Sequence, residues 1–359
     1  MQKSSAIVLT AGLLDTKNAK TCHGLLRGTE RFALGAVIDL KFAGQDAGKV
    51  VFGEPNGIPV YANVDSYLES TGDVPRYFII GVAPEGGLLP DTFREELYKG
   101  MERGISIVCG LHTLLNDDPA FKQKATKYGV ELMDIRRPKK ATELKFWSGE
   151  IYSVKAAIIA VLGTDCAVGK RTTSRILMER ANAENIKTEL MYTGQTGWMQ
   201  GYKYGFIFDA TLNDFISGEI EHTIVNCDRN ENPDLILIEG QSSMRNPSGP
   251  CGSEFLISGN AQGVILQHEP GRTHYDFNSA WGEMKPLEEE VELIAAYGAQ
   301  VLCITLNTNS MDSIELNIYQ KEMEQELGIP VIMPIEEGTD RLLQTVENYL
   351  ESRKKYQEI

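Results

Sequence analysis

The chain has 359 residues, with 35 Lys plus Arg against 50 Asp plus Glu and a net charge of −15. That length suggests two domains, on a prior of roughly 150 residues each, and the acidic balance argues against nucleic acid and anionic membrane surfaces as partners. No apolar run reaches the ~20 residues a membrane span needs, and Met-Gln-Lys-Ser-Ser leads straight into a strand with no apolar leader.

Residues 5–10 read as a short buried strand that breaks at Ala11-Gly12, and 17–28 as a helix. Further strands are expected at 35–39, 77–82, 105–109 and 130–133, with helices at 91–103 and 119–128. Strands alternating with helices imply a parallel sheet covered on both faces, so residues 1–135 are expected to form a Rossmann-like domain. Asp39 ends the second strand, where a ribose-binding acid would sit. The first turn, Thr10-Ala-Gly-Leu-Leu-Asp-Thr-Lys17, lacks the Gly-x-Gly-x-x-Gly fingerprint, so a nicotinamide dinucleotide is not the expected ligand. His112 follows a strand end and reads first as a hydrogen-bonded structural histidine. The charged, proline-containing stretch 136–153 reads as a linker.

Residues 154–359 open on the most informative stretch. An apolar run at 156–162 is followed by Gly163-Thr-Asp-Cys-Ala-Val-Gly-Lys-Arg-Thr-Thr173, and a helical pattern begins at once. Strand, glycine loop, lysine and helix make a phosphate cradle, in which loop and helix N–H groups face an anion and the lysine adds charge. Gly163, Thr164, Asp165, Cys166, Ala167, Val168, Gly169, Lys170, Arg171, Thr172 and Thr173 are therefore candidate cofactor-binding residues. Two features depart from the usual pattern. Five residues rather than four separate Gly163 from Gly169, and Arg171 stands where the magnesium-binding hydroxyl belongs. Thr172 is one residue late, about 100° around the helix. Phosphate binding is expected; magnesium-dependent hydrolysis is not, and no metal site is expected.

Later strands at 188–192, 233–239, 264–267, 301–305 and 330–334 alternate with helices at 287–296, 313–326 and 339–355. Functional loops of such sheets emerge at the carboxyl ends of strands. Those loops carry Gln195 and Trp198 within Thr193-Gly-Gln-Thr-Gly-Trp-Met-Gln-Gly201, Asp209, Glu239 with Gln241 and Ser242, and His268 with Arg272. The six cysteines show no Cys-x-x-Cys pair, so reduced thiols in a cytoplasmic protein are expected. Cys166 alone sits in the loop, where a helix N-terminus can lower a thiol pKa.

Gly163-Thr-Asp-Cys-Ala-Val-Gly-Lys170, Thr193-Gly-Gln-Thr-Gly-Trp198 and Asp234-Leu-Ile-Leu-Ile-Glu-Gly-Gln241 together resemble the D-glutamate N-acetyltransferase-like family, formerly a domain of unknown function. The resemblance extends to Gly86-Gly-Leu-Leu-Pro90 and Gly110-Leu-His112. It implies a Rossmann-like N-terminal domain, a phosphate-loop NTPase-like C-terminal domain, and acetyl transfer from acetyl-CoA to the amine of D-glutamate. Acetyl-CoA carries phosphates that such a loop can grip without magnesium, with Arg171 in the place of the metal. The acceptor amine needs a base, Glu239 first, then Asp209 or His268. The oxyanion needs donors, for which the Gln195 amide and nearby N–H groups are candidates. Arg272 is the first choice for a substrate carboxylate. The loop and the Asp-Leu-x-Leu-x-Glu-Gly strand are also similar to dethiobiotin synthetase. That implies an alternative in which ATP activates a carboxylate and Thr172, Asp165 and Glu239 hold magnesium. A nucleotide-binding regulatory module without turnover is a third reading. The expected partner is a small-molecule substrate, and a homo-oligomer is expected for a metabolic enzyme of this size.

Overall fold

The computed structural model describes residues 3–357, so the first two residues of the expected leaderless start lie outside it. Among the described residues no helix is long and apolar enough to cross a membrane. The chain divides into two compact units, residues 1–139 with 194–202, and residues 140–193 with 203–359.

The first unit holds strands β1 (Ser4–Leu9), β2 (Phe32–Ile38), β3 (Val60–Tyr61), β4 (Tyr77–Ile80), β5 (Ser106–Cys109) and β6 (Leu132–Asp134). They form one sheet in the order β3-β2-β1-β4-β5-β6, with every pair parallel. This is the strand order of the Rossmann folds. Ile7, Leu9, Phe78 and Ile80 enter one apolar core, and Ala6, Val8, Tyr77 and Ile79 another. That alternation on a sheet covered on both faces explains why these strands are unbroken apolar runs. Some helices begin where the sequence offers caps: Asp118 accepts from Ala120 N and Phe121 N at the start of Pro119–Tyr128, with Pro119 in the first turn.

Asp39 is buried and fully engaged. Its Oδ2 accepts from the Thr10 hydroxyl at 2.7 Å and from Gly12 N and Leu14 N at 2.8 and 3.2 Å, while Oδ1 accepts from Lys41 N at 3.0 Å. The carboxylate fills the first turn's donors itself. A ribose would have to displace those bonds, which gives the missing glycine fingerprint a structural counterpart.

The segment 194–202 follows a strand of the second unit but belongs to the first. Its helix, Gln195–Gln200, buries Met199 among Leu25, Cys22 and Val8. Trp198 lies under the Arg31 guanidinium at 3.9 Å, and its carbonyl accepts from Arg31 Nε at 2.8 Å. The domain edges read from the sequence do not contain this excursion.

The second unit holds β7 (Ala157–Gly163), β8 (Thr188–Tyr192), β9 (Tyr204–Gly205), β10 (Leu235–Glu239), β11 (Gly263–His268), β12 (Gln300–Leu306) and β13 (Val331–Ile332). The order is β13-β12-β11-β7-β10-β8-β9, again all parallel. β7 is central and buried along its whole length. The stretch 140–153 is part of this unit, bound to the helix Asn213–Glu231. Glu219 accepts from Lys145 N at 3.0 Å. Glu221 accepts from Ser148 N at 2.6 Å, the Ser148 hydroxyl at 2.9 Å and Ile151 N at 3.1 Å. Two buried acids thus satisfy a connection that has few backbone partners of its own. Gly218 lets the helix touch it, since a Cβ there would overlap the Lys145 carbonyl.

Candidate functional site

Parallel pairing sets the site. β7 lies between β10 and β11, with Glu239 beside Val161 and Gln267 beside Gly163. The loop leaving β7 is therefore flanked by the ends of β10 and β11, and the helix Lys170–Ala183 leaves it. Gly169 caps that helix at φ 119°, and Ala167 holds φ 54°, a left-handed conformation unusual for alanine. Thr164 N donates to Gln267 O, and Thr173 N to Gly169 O. The N–H groups of residues 165–169 donate to no acceptor among the described residues. That leaves a run of loop donors available to a ligand.

Lys170 is buried, and its Nζ donates to Asp165 O at 2.7 Å and Ser242 O at 2.6 Å. Burial pulls its pKa below the ordinary lysine value, and the nearby Cys166, Asp165, Cys251 and Glu239 work against that. A desolvated ammonium bonded only to neutral carbonyls is poised for an anion.

Glu239 lies in the same place. It is 5% exposed, and its Oε1 faces Arg171 Nη1 at 3.6 Å. Its Oε2 is buried with no hydrogen-bond partner among the described residues. Burial raises its pKa, while Arg171 and Lys170 pull the other way. Gly240 follows because a Cβ there would come within 2.5 Å of the Val161 carbonyl. Half-buried Gln241 and Ser242 begin the next loop, with Ser242 at φ 43° and its hydroxyl 3.3 Å from the Cys166 thiol.

His268 stacks on Tyr319, with ring centroids 6.0 Å apart, and its Nδ1 lies 2.9 Å from the Thr164 hydroxyl. Burial, with Arg272 nearby, pushes its pKa down to about 4. It is a neutral imidazole at pH 7. Thr173 donates to Gln267 Oε1, which also accepts from Thr305 at 2.7 Å, tying the helix to β11 and β12. Half-buried Thr172 follows Arg171 on the helix.

Arg272 differs from the expected substrate anchor. It is buried and spent on the loop: Nη1 donates to Asp165 Oδ2 at 2.7 Å and Cys166 O at 2.6 Å, Nε to Glu269 Oε2 at 2.9 Å, and Nη2 also pairs with Glu269. Asp165 is completed by Asn246 Nδ2 at 2.6 Å and Asp276 N at 2.6 Å. A substrate carboxylate would have to break this network. Asp209 is exposed in a turn at Phe208–Ala210, held near the end of β8 by Phe208 N donating to Thr193 O at 3.0 Å. Gln195 and Trp198 take their places in the first unit.

Asn246, Glu269 and Gln267 were not legible as site residues. Gln267 had a signal, a polar residue ending an apolar strand. Asn246 lies in a loop with no pattern to mark it.

Residues 40–138 match the domain described as "Domain of unknown function (DUF1611_N) Rossmann-like domain", and residues 145–343 match "Domain of unknown function (DUF1611_C) P-loop domain". The chain belongs to the DUF1611 family. Two relatives are named D-glutamate N-acetyltransferase. One, from Tritonibacter scottomollicae, is 30% identical over 275 residues; the other, from a Pseudoalteromonas species, is 29% identical over 275. Each match spans 75% of this chain and 80% of the relative. The crystal structure of a DUF1611 family protein from Anabaena variabilis, 28% identical, superposes with a TM-score of 0.87 over 96% of this chain and 100% of that one. The family and the two-domain architecture expected from the motifs, a Rossmann-like unit followed by a phosphate-loop unit, both hold for this DUF1611 chain.

Proposed function

We propose that this chain is an N-acetyltransferase that moves the acetyl group of acetyl-CoA to the amine of a small amino acid such as D-glutamate. The observation that carries the reading is the pairing of Arg171 with Glu239 beside the phosphate loop: a cation stands in the metal's place, and a buried carboxylate has an oxygen with no partner among the described residues. The names of the two relatives support the transfer of an acetyl group and the choice of acceptor.

The loop fits the phosphates of CoA. The N–H groups of residues 165–169 have no acceptor among the described residues, and Lys170 and Arg171 supply charge. Bound acetyl-CoA would supply the activated acyl group. In this reading Glu239 Oε2 accepts an N–H of the acceptor and takes its proton, a contribution typically worth about 10²–10⁴-fold. Burial favours its protonated form and so makes it a stronger base than an exposed glutamate. The Arg272–Asp165–Glu269 network keeps the loop in shape. The alternative with ATP and magnesium would use Thr172, Asp165 and Glu239 as ligands. Both oxygens of Asp165 are already held by Asn246, Arg272 and Asp276 N, so that reading requires the network to rearrange.

The test is product formation. The full chain is incubated with acetyl-CoA and D-glutamate, and N-acetylated product and released thiol are measured. Wild type should form both, and Glu239→Gln should lose at least about 100-fold in turnover with little change in CoA binding. Absence of any acetylated product across a panel of D- and L-amino acids would sink the reading.

A further inference from the structure

Three motif stretches are not accounted for by the phosphate loop: residues 86–90, 110–112 and 194–198. They meet at one corner of the first unit. The first follows β4 and the second follows β5, its neighbour in the sheet. His112 N donates to Gly87 O at 2.7 Å, and a Cβ on Gly87 would overlap the His112 ring. A Cβ on Gly110 would come within 2.8 Å of Gln195 Cγ and of Met199 Cε. Each glycine thus makes room for a side chain of another stretch. The corner lies at the carboxyl ends of parallel strands, where ligands of open sheets gather.

The polar groups at this corner are engaged, with one exception. Arg136 donates to the Gly110 carbonyl, and both Arg136 and exposed His112 have further partners. On the helix Gln195–Gln200, the Thr196 hydroxyl lies 3.3 Å from that of Thr21, and Gln200 Nε2 donates to Gly24 O at 2.9 Å. The Gln195 side chain makes no hydrogen bond to any described residue, although the residue is only 6% exposed. Its stem is fixed on Gly110, and Met199 holds the helix in the core. A rigidly held, nearly buried amide without a partner costs free energy that a ligand can recover.

An amide offers one N–H₂ donor edge and one carbonyl acceptor side by side. An α-amino acid offers the complement, a carboxylate next to an ammonium. We propose that this corner of the first unit is an α-amino-acid site, in which Gln195 donates to the α-carboxylate and accepts from the α-ammonium. A zwitterion carries no net charge at that end, so the neutral amide suffices without a dedicated cation. As the seat of the acetyl acceptor the site rests on the acetyl-transfer reading; as an amino-acid site it does not. In the chain Gln195 follows Thr193 by two residues.

Calorimetric titration of the full chain with D-glutamate, and with glutarate, which lacks the amine, tests the assignment. Wild type should bind D-glutamate about tenfold or more tighter than glutarate. Gln195→Met keeps the side chain's length and removes the amide; it should weaken D-glutamate about tenfold or more and abolish the preference, with CoA affinity and thermal midpoint unchanged. If that variant does not fold, Gln195→Glu keeps the shape, loses the donor and should weaken D-glutamate likewise. Equal D-glutamate affinity in wild type and the folded variant, with N-acetylated product still formed, overturns the site and leaves acetyl transfer standing. Amino-acid binding that is lost in the variant, with no product from wild type, keeps the site and sinks acetyl transfer. If product forms but binding is too weak for calorimetry, the KM for D-glutamate decides: a tenfold rise in Gln195→Met supports the site and an unchanged KM overturns it. Neither binding nor product across a panel of D- and L-amino acids overturns both.

Discussion

Replacing Arg272 separates two roles that predict opposite results. The Arg272→Met variant keeps much of the side chain's volume and removes its charge. In the structure Arg272, Asp165 and Glu269 have side chains 4%, 0% and 5% exposed, and the guanidinium is bonded to both acids and to the Cys166 carbonyl. Breaking a buried pair by removing one partner costs about 3–5 kcal/mol, because the remaining charge is left uncompensated. Here two carboxylates lose their cation. At a urea dependence of roughly 3 kcal/mol per molar, the midpoint of the second unit should fall by about 1–2 M. Trp147 and Trp281 lie in that unit and Trp198 in the first, so tryptophan fluorescence in a Trp198→Phe background follows the second unit. CoA affinity should fall with it, since the loop loses its tether. An unchanged midpoint together with a raised KM for the amino acid would refute this reasoning and make Arg272 the substrate anchor.

Lys170→Ala should weaken CoA binding by about tenfold or more, since on the proposed reading its buried charge meets the phosphates; equal affinity by calorimetry would show that the loop is not the phosphate site. His268 has a folded pKa of about 4 against roughly 6.5 when unfolded. As pH falls between those values the unfolded state binds the proton first, so stability should drop by up to roughly 3 kcal/mol. His268→Gln should flatten that loss in urea melts at pH 7 and pH 4.5, and an unchanged pH slope would contradict the burial argument. Gly218→Ala should destabilise the second unit by about 1–3 kcal/mol through collision with the Lys145 carbonyl, and a wild-type thermal midpoint would refute it.

Legibility followed the range of the interactions. β8 is found at the residues read from the sequence, and so are the helices Pro119–Tyr128 and Leu287–Ala296, because period, the Asp118 cap of the first and the acidic first turn of the second are local signals. Short strands such as β3 and β9, and the helix Val64–Thr71, gave too few residues for a pattern. The loop and Glu239 were visible because each ends an apolar strand. The cage around Asp165 was not: Asn246 and Arg272 are 81 and 107 positions away, and no spacing rule connects them. For the same reason Arg272 read as a free cation, although the fold spends it internally. Trp198 and Gln195 sit in a glycine-rich run that resembles a binding loop, yet Met199 beside them carries the packing that draws the segment into the first unit.

The central claim is that the phosphate loop holds an acyl-CoA rather than a metal-bound nucleotide. Titration of the full chain with acetyl-CoA, with and without magnesium, alongside ATP with magnesium, addresses it most directly. The account predicts acetyl-CoA binding that does not depend on magnesium and weakens in Lys170→Ala. Tight ATP binding that requires magnesium, with no response to acetyl-CoA, would contradict it.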